Sequence, residues 1–179
     1  MLKWLLMALL AGAALMLWRM TAHANRNLPK AGDAAPDFRL SDQHGKLRDS
    51  TGFRGKWLVL YFYPRDDTPG CTEQAARYRD AMRDIEALGA TVCGVSVDDG
   101  ESHAAFARKY NLPFALLADR DGDVARRFGS LRDFGLLKFA KRNTFLIDPQ
   151  GRVVKVYLGV HPSRNTADVT NDLKRLTTA

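Results

Sequence analysis

Two thiols are the residues of this chain best suited to nucleophilic or redox chemistry, Cys71 and Cys93, and their surroundings differ sharply. Tyr61-Phe62-Tyr63-Pro64-Arg65-Asp66-Asp67-Thr68-Pro69-Gly70-Cys71-Thr72 reads as a strand that feeds through a tight loop into the first turn of a helix opening at Cys71. Backbone N–H groups without acceptors and the positive end of the helix dipole favour an anion at such a place, so Cys71 is expected as a thiolate. Cys71, Ala75, Tyr78, Met82 and Ile85 follow one another at steps of 4, 3, 4 and 3, which puts the sulfur on the face turned towards the protein body. Thr68 can turn its hydroxyl towards that sulfur or an incoming oxygen, while Pro64 and Pro69 stiffen the loop and shut out water. A sheltered, nucleophilic thiolate is the chemistry this arrangement offers. Cys93 instead lies among Val92, Val95 and Val97 in a strand, where a thiol serves as a small hydrophobe.

The elements needed to hold Cys71 can be read on either side of it. Trp57–Tyr63 is an unbroken apolar run rich in aromatic and β-branched residues, ended by Pro64, as in a central strand covered on both faces. The helix from Cys71 is expected to run to a C-terminal cap at Gly89. Thr91–Val97 is the next strand, Glu101–Tyr110 a second helix, Leu112–Leu117 a further apolar stretch, and Asp123–Phe128 a short helix closing at Gly129. Thr144–Ile147 and Val153–Leu158 are strands joined by Asp148-Pro149-Gln150-Gly151, a type I turn between antiparallel neighbours, and an amphipathic helix follows. Alternating strands and helices ending in a hairpin and a helix predict an α/β three-layer sandwich around a mixed sheet.

Composition limits the alternatives. With 46% hydrophobic and 26% charged residues in 179, the chain suits one ordinary folded domain with an appendage. That appendage is Met1–Ala24: Lys3, then 15 apolar residues from Trp4 to Trp18, then Arg19 and Ala22-His23-Ala24. A membrane span needs about 20 residues. The length and the A-x-A site therefore favour a signal peptide and export to the periplasm, with an uncleaved anchor through residues 4–18 as the alternative. Residues 25–36 read as a linker and 37–179 as the domain. Without residues 1–24 the 27 basic residues become 25 against 20 acids, a dispersed excess without interleaved aromatics. Nucleic acid is not an expected partner, and a membrane is met only through the leader.

Pro64-x-x-x-Thr68-x-x-Cys71 resembles the active-site motif of the peroxiredoxins. The longer Phe62-Tyr63-Pro64…Thr68-Pro69-Gly70-Cys71-Thr72 is similar to the bacterioferritin comigratory protein subgroup. Gly32–Leu40, Gly94–Asp98 and Arg142–Asp148 resemble other strands of that family in the same order. The resemblance implies a thioredoxin-like fold and a peroxidase for hydrogen peroxide and organic hydroperoxides, reduced by a thioredoxin-like protein or small thiol, as monomer or dimer. By motif position Cys71 is implied as the peroxide-attacking residue, Thr68 as its hydroxyl partner, Pro64 as the shield and Arg142 as the distant guanidinium. No cofactor or metal is implied. The subgroup's usual second cysteine, five residues on, is replaced here by Ala76, and Glu101–Tyr110 holds no cysteine either. A one-cysteine cycle is therefore expected, with resolution of Cys71 by Cys93 after local unfolding as the alternative.

Other groups carry less. Asp119-x-Asp121-Gly122-Asp123 lacks the glycine and glutamate positions of a calcium loop and is expected to be a helix-capping turn. Asp66-Asp67 and Asp98-Asp99 are expected as solvated loop acids, His44, His103 and His161 show no ligand spacing, Gln74 is read as packed or solvated with contact to the active-site network as the alternative, and Arg79 and Asp80 are given a surface or scaffold role. Missing C-x-x-C and C-x-x-x-C motifs argue against a disulfide reductase or a copper carrier. An exported thioredoxin-fold binding module without peroxide turnover is the alternative function.

Overall fold

The computed structural model describes residues 28–135 and 137–178, together with Met7 and Gly12. The expected leader and the first residues of the linker thus fall, those two positions aside, outside the described residues. Thirteen further elements follow a first short hairpin strand, β1 (Arg39–Ser41): β2 (Leu47–Asp49), β3 (Trp57–Phe62), α1 (Pro69–Asp80), α2 (Met82–Ala87), β4 (Ala90–Ser96), α3 (Gly100–Tyr110), β5 (Ala115–Ala118), α4 (Asp123–Arg127), β6 (Leu131–Asp133), β7 (Lys138–Ala140), β8 (Thr144–Ile147), β9 (Val153–Tyr157) and α5 (Pro162–Thr177), with one 3-10 turn at Ser50–Phe53.

The central sheet has the order β5-β4-β3-β8-β9. β3, β4 and β5 are parallel, while β8 runs antiparallel to both β3 and β9, so the sheet is mixed as expected. The strict alternation of side chains in β3 divides the core. Val59, Tyr61 and Tyr63 pack with Ala75, Tyr78, Ile85, Phe106, Val169 and Leu173 from α1, α2, α3 and α5. Leu58, Leu60 and Phe62 pack on the other side with Phe38, Val124, Phe128, Leu131 and Val153. The sandwich therefore has three layers, with β3 at its centre.

The single helix expected from Cys71 to Gly89 is two. α1 ends at Asp80 and α2 begins at Met82, with Ala81 (ψ 1°) capping both. Neither proline nor glycine marks this break, and the Ile85 N–H still reaches the Ala81 carbonyl at 3.0 Å, so Met82 and Ile85 stay on the buried stripe. Gly89 adopts φ +71°, the left-handed conformation of its expected capping role. The β1–β2 and β6–β7 hairpins were not expected as pairs, because three-residue strands carry too little periodicity to register.

One close approach inside the sheet fixes a residue type. Tyr61 lies opposite Gly94 in the β3–β4 register, and a Cβ on Gly94 would stand 2.7 Å from the Tyr61 hydroxyl and 2.9 Å from Leu116 Cδ2. Tyr61 is fully buried and stacked between Tyr63 and Tyr78, so it has nowhere to retreat. Gly94→Ala is expected to lower stability by about 1–3 kcal/mol, the usual cost of overpacking, measured by urea unfolding.

Candidate active site

α1 starts where the chain leaves the centre of the sheet. The Phe62 and Tyr63 N–H groups donate to the Asn143 and Val95 carbonyls at 2.7 and 3.1 Å, so β3 stays paired to its last residue. After a short loop, Thr68 takes the extended backbone conformation of an N-cap and Pro69 begins the helix, where a missing N–H costs nothing. The first helical bond runs from the Thr72 N–H to the Thr68 carbonyl at 2.8 Å. Cys71 therefore sits within the turn whose N–H groups have no helical acceptor. Its side chain is 1% exposed and belongs to the tyrosine-lined cluster, as the stripe required.

Arg142 comes to the sulfur from the segment just before β8. Its Nη2 donates to Cys71 Sγ at 3.4 Å, and its Nη1 donates to Gln74 Oε1 at 2.9 Å. Backbone contacts fix its base: the Val160 N–H donates to the Arg142 carbonyl at 2.9 Å. Gly70 leaves room for the guanidinium, since a Cβ there would lie 3.2 Å from Nη2. Gln74 is fully buried and within the network.

Pro64 is half-buried and lines an open groove with Phe139, Leu158, Val160 and Arg142, the last of which also reaches the sulfur. The Thr68 hydroxyl was expected to face the sulfur, but it donates to the Arg65 carbonyl at 3.0 Å and so closes the loop on itself. Its lone pairs remain acceptors for a peroxide proton.

The loop acids depart most from expectation. Asp66 is 7% exposed rather than solvated, and accepts from Tyr63 Oη (2.7 Å), Ser102 Oγ (2.7 Å) and His103 Nδ1 (2.8 Å). Its own N–H donates to Asp98 Oδ2 at 2.9 Å, which makes Asp98 an interior partner as well. Asp67 (φ +54°) reaches Lys109 Nζ and Tyr110 Oη, each at 2.6 Å. Two adjacent acids thus fasten the cysteine loop to both ends of α3. Burial, with Asp66 beside it, drives the Tyr63 hydroxyl well above its ordinary range, so it remains a donor. Asp99 caps α3 through the Ser102 N–H, and Asp119 caps α4 through the Val124 and Ala125 N–H groups, as expected of a turn. Arg79 donates to the Tyr110 carbonyl at 2.8 Å, a scaffold contact in keeping with its expected place.

Cys93 lies on the other side of the sheet. It points with Leu60 and Val95 into the second cluster, so β3 and β4 stand between it and Cys71. Burial pushes its thiol up to about 12, against a slight opposing pull from Arg48. A thiol-counting reagent at pH 8 is therefore expected to find one reactive cysteine in the folded protein and a second in denaturant. A second fast thiol in the native state would contradict this placement.

Residues 31–156 match the model of the AhpC/TSA family. The chain belongs to the AhpC/TSA family. Within it the chain is 46% identical over 127 residues to a chloroplastic peroxiredoxin Q of Populus jackii, covering 70% of this chain and 59% of that one. The match thus spans less than two thirds of that plant relative's length. It is 39% identical over 148 residues to a putative peroxiredoxin bcp of Coxiella burnetii, covering 80% of this chain and 98% of the relative. Among solved structures, the bacterioferritin comigratory protein of Xanthomonas campestris superposes with a TM-score of 0.76 at 31% identity, covering 83% of this chain and 99% of that one. The resemblance to bacterioferritin comigratory peroxiredoxins is borne out, and so is the thioredoxin-like fold of this AhpC/TSA member.

Proposed function

We propose that this protein is a thiol peroxidase with Cys71 as its only redox thiol, and that it protects its compartment against hydrogen peroxide and organic hydroperoxides. The observation that carries this reading is the Arg142 guanidinium 3.4 Å from Cys71 Sγ, at the start of a helix and beside an open groove. Its Xanthomonas campestris relative has alkyl peroxide reduction activity, which supports the same chemistry here. The Cys71 thiolate attacks the hydroxyl oxygen of the peroxide. An S–O bond forms as the O–O bond breaks, and the proton of the attacked oxygen passes to the departing one. The products are a sulfenate on Cys71 and water or an alcohol.

Each assigned residue has work in this step. Arg142 and the helix-terminal N–H groups hold the thiolate and then the charge that grows on the oxygens. Thr68 Oγ1 accepts a hydrogen bond from the peroxide O–H and so steers the substrate, and Pro64 screens the sulfur from bulk water. Recovery needs thiols from outside: one condenses with the sulfenic acid, releasing water and leaving a mixed disulfide, and a second displaces it. The position of Cys93 beyond the sheet supports this one-cysteine cycle over internal resolution. Residues 1–24 direct the protein out of the cytoplasm, to act in the periplasm as a released domain or tethered through residues 4–18.

The test is direct. The purified chain, given hydrogen peroxide and dimedone, is expected to carry one adduct on Cys71, and to consume peroxide continuously once dithiothreitol or a thioredoxin-like reductant is supplied. Absence of both would overturn the peroxidase reading in favour of a binding module.

A further inference from the structure

Three hydrogen bonds from the sulfur, a buried amide is arranged in an unusual way. Asn165, on α5, is 1% exposed, and its Oδ1 accepts from Gln74 Nε2 (2.9 Å), Tyr78 Oη (2.7 Å) and Thr144 Oγ1 (2.9 Å). Its Nδ2 is buried without a partner. Turning the amide over would let Nδ2 donate to the two hydroxyls and relieve an orphan that costs about 1–3 kcal/mol. The direction of the chain forbids it. A guanidinium only donates, so Gln74 must present Oε1 to Arg142 and its NH₂ to Asn165, which must then present oxygen.

We infer that Asn165 is the positioning residue that holds Arg142 against Cys71, acting through Gln74. This rests on the peroxidase reading only for its effect on turnover. Gln74 lies in α1, Thr144 in β8 and Asn165 in α5, so three elements meet at one carbonyl oxygen. α5 also reaches the site directly, with Pro162 Cγ 3.3 Å from where a Gly70 Cβ would stand. The guanidinium requires Oε1 of Gln74, and the Asn165 oxygen accepts the NH₂ that this orientation turns inward, so it holds Gln74 in the one orientation that serves Arg142. Without it Gln74 is free to turn, and Arg142 loses the acceptor that keeps Nη2 on the sulfur.

The experiment compares Asn165→Leu, which removes the acceptor, with Asn165→Asp, which keeps one; Asn165→Ala replaces the leucine variant if that does not fold. Two readouts are taken on the full chain: kcat/KM for hydrogen peroxide, and the pH profile of Cys71 alkylation by iodoacetamide. Loss of the acceptor is expected to lower kcat/KM roughly tenfold to a hundredfold, as small misplacements of a catalytic group do. The alkylation profile should move towards higher pH, with Asn165→Asp staying close to the parent in both. In a Gln74→Met background Asn165→Leu should add nothing further, because the route to Arg142 is already cut. An unchanged alkylation profile in the leucine or alanine variant, or full additivity with Gln74→Met, overturns the inference. The alkylation arm needs no peroxide. A parent protein without turnover that still shows the shift would sink the peroxidase reading and leave the positioning role standing.

Discussion

Cys71→Ser is expected to bring peroxide consumption down to the uncatalysed rate while the protein stays folded. Serine nearly matches cysteine in shape, and the site already supplies donors in the helix-terminal N–H groups and Arg142 Nη2. The fold therefore tolerates the exchange, but a serine hydroxyl is not ionised near neutral pH and attacks peroxide poorly. No other thiol can take over, because Cys93 faces the opposite cluster, across the sheet from Arg142 and the start of α1. Consumption of hydrogen peroxide under excess dithiothreitol checks the loss, and thermal unfolding by circular dichroism checks the fold. Cys93→Ala, in the same assay, should keep turnover.

Arg142→Met should lower kcat/KM for peroxide by about 10²–10³-fold, the size usual for removing one preorganised donor to a developing charge. Two effects combine. The sulfur loses the guanidinium that donates to it, and Gln74 Oε1 loses its donor in a buried place, which leaves an acceptor unsatisfied. Arg142→Lys should recover little of this. The guanidinium bridges two partners at once, sulfur through Nη2 and amide through Nη1, and a single ammonium cannot span that fork. Steady-state kinetics over a peroxide series would show the deficit; parental turnover in the lysine variant would mean that charge alone is needed.

Much of the site was legible because local pattern encodes it. The apolar run before Pro64, the helix start near Cys71 and the 4-3-4-3 stripe are short-range signals; the helix begins two residues earlier than expected, at Pro69, and Cys71 keeps its place in the first turn and on the buried stripe. Arg142 was legible only through its family resemblance. Its approach to Cys71 spans 71 residues of sequence and depends on β8 lying beside β3. Asn165 was not legible at all: an asparagine in a polar stretch of an amphipathic helix gives no sign that Gln74, 91 residues away, ends on its oxygen. Asp66 misled for the opposite reason. Adjacent acids between Pro64 and Pro69 read as a solvated turn, yet Tyr63, Ser102 and His103 enclose one of them, because α3 folds back over the loop. Polar residues are hard to place from sequence wherever their burial depends on partners brought together by tertiary packing.

The side of the sheet on which each cysteine lies decides the chemistry proposed for its oxidised state. Alternation along β4 turns Cys93 away from Val92, and Val92 shares the Cys71 cluster, so the two thiols occupy separate compartments of the core. The most direct test is the intact mass of the full chain after one equivalent of hydrogen peroxide, with no thiol present. The one-cysteine account predicts the gain of one oxygen, absent in Cys71→Ser and reversed by dithiothreitol. Loss of two hydrogens within a single chain, a Cys71–Cys93 disulfide, would contradict it.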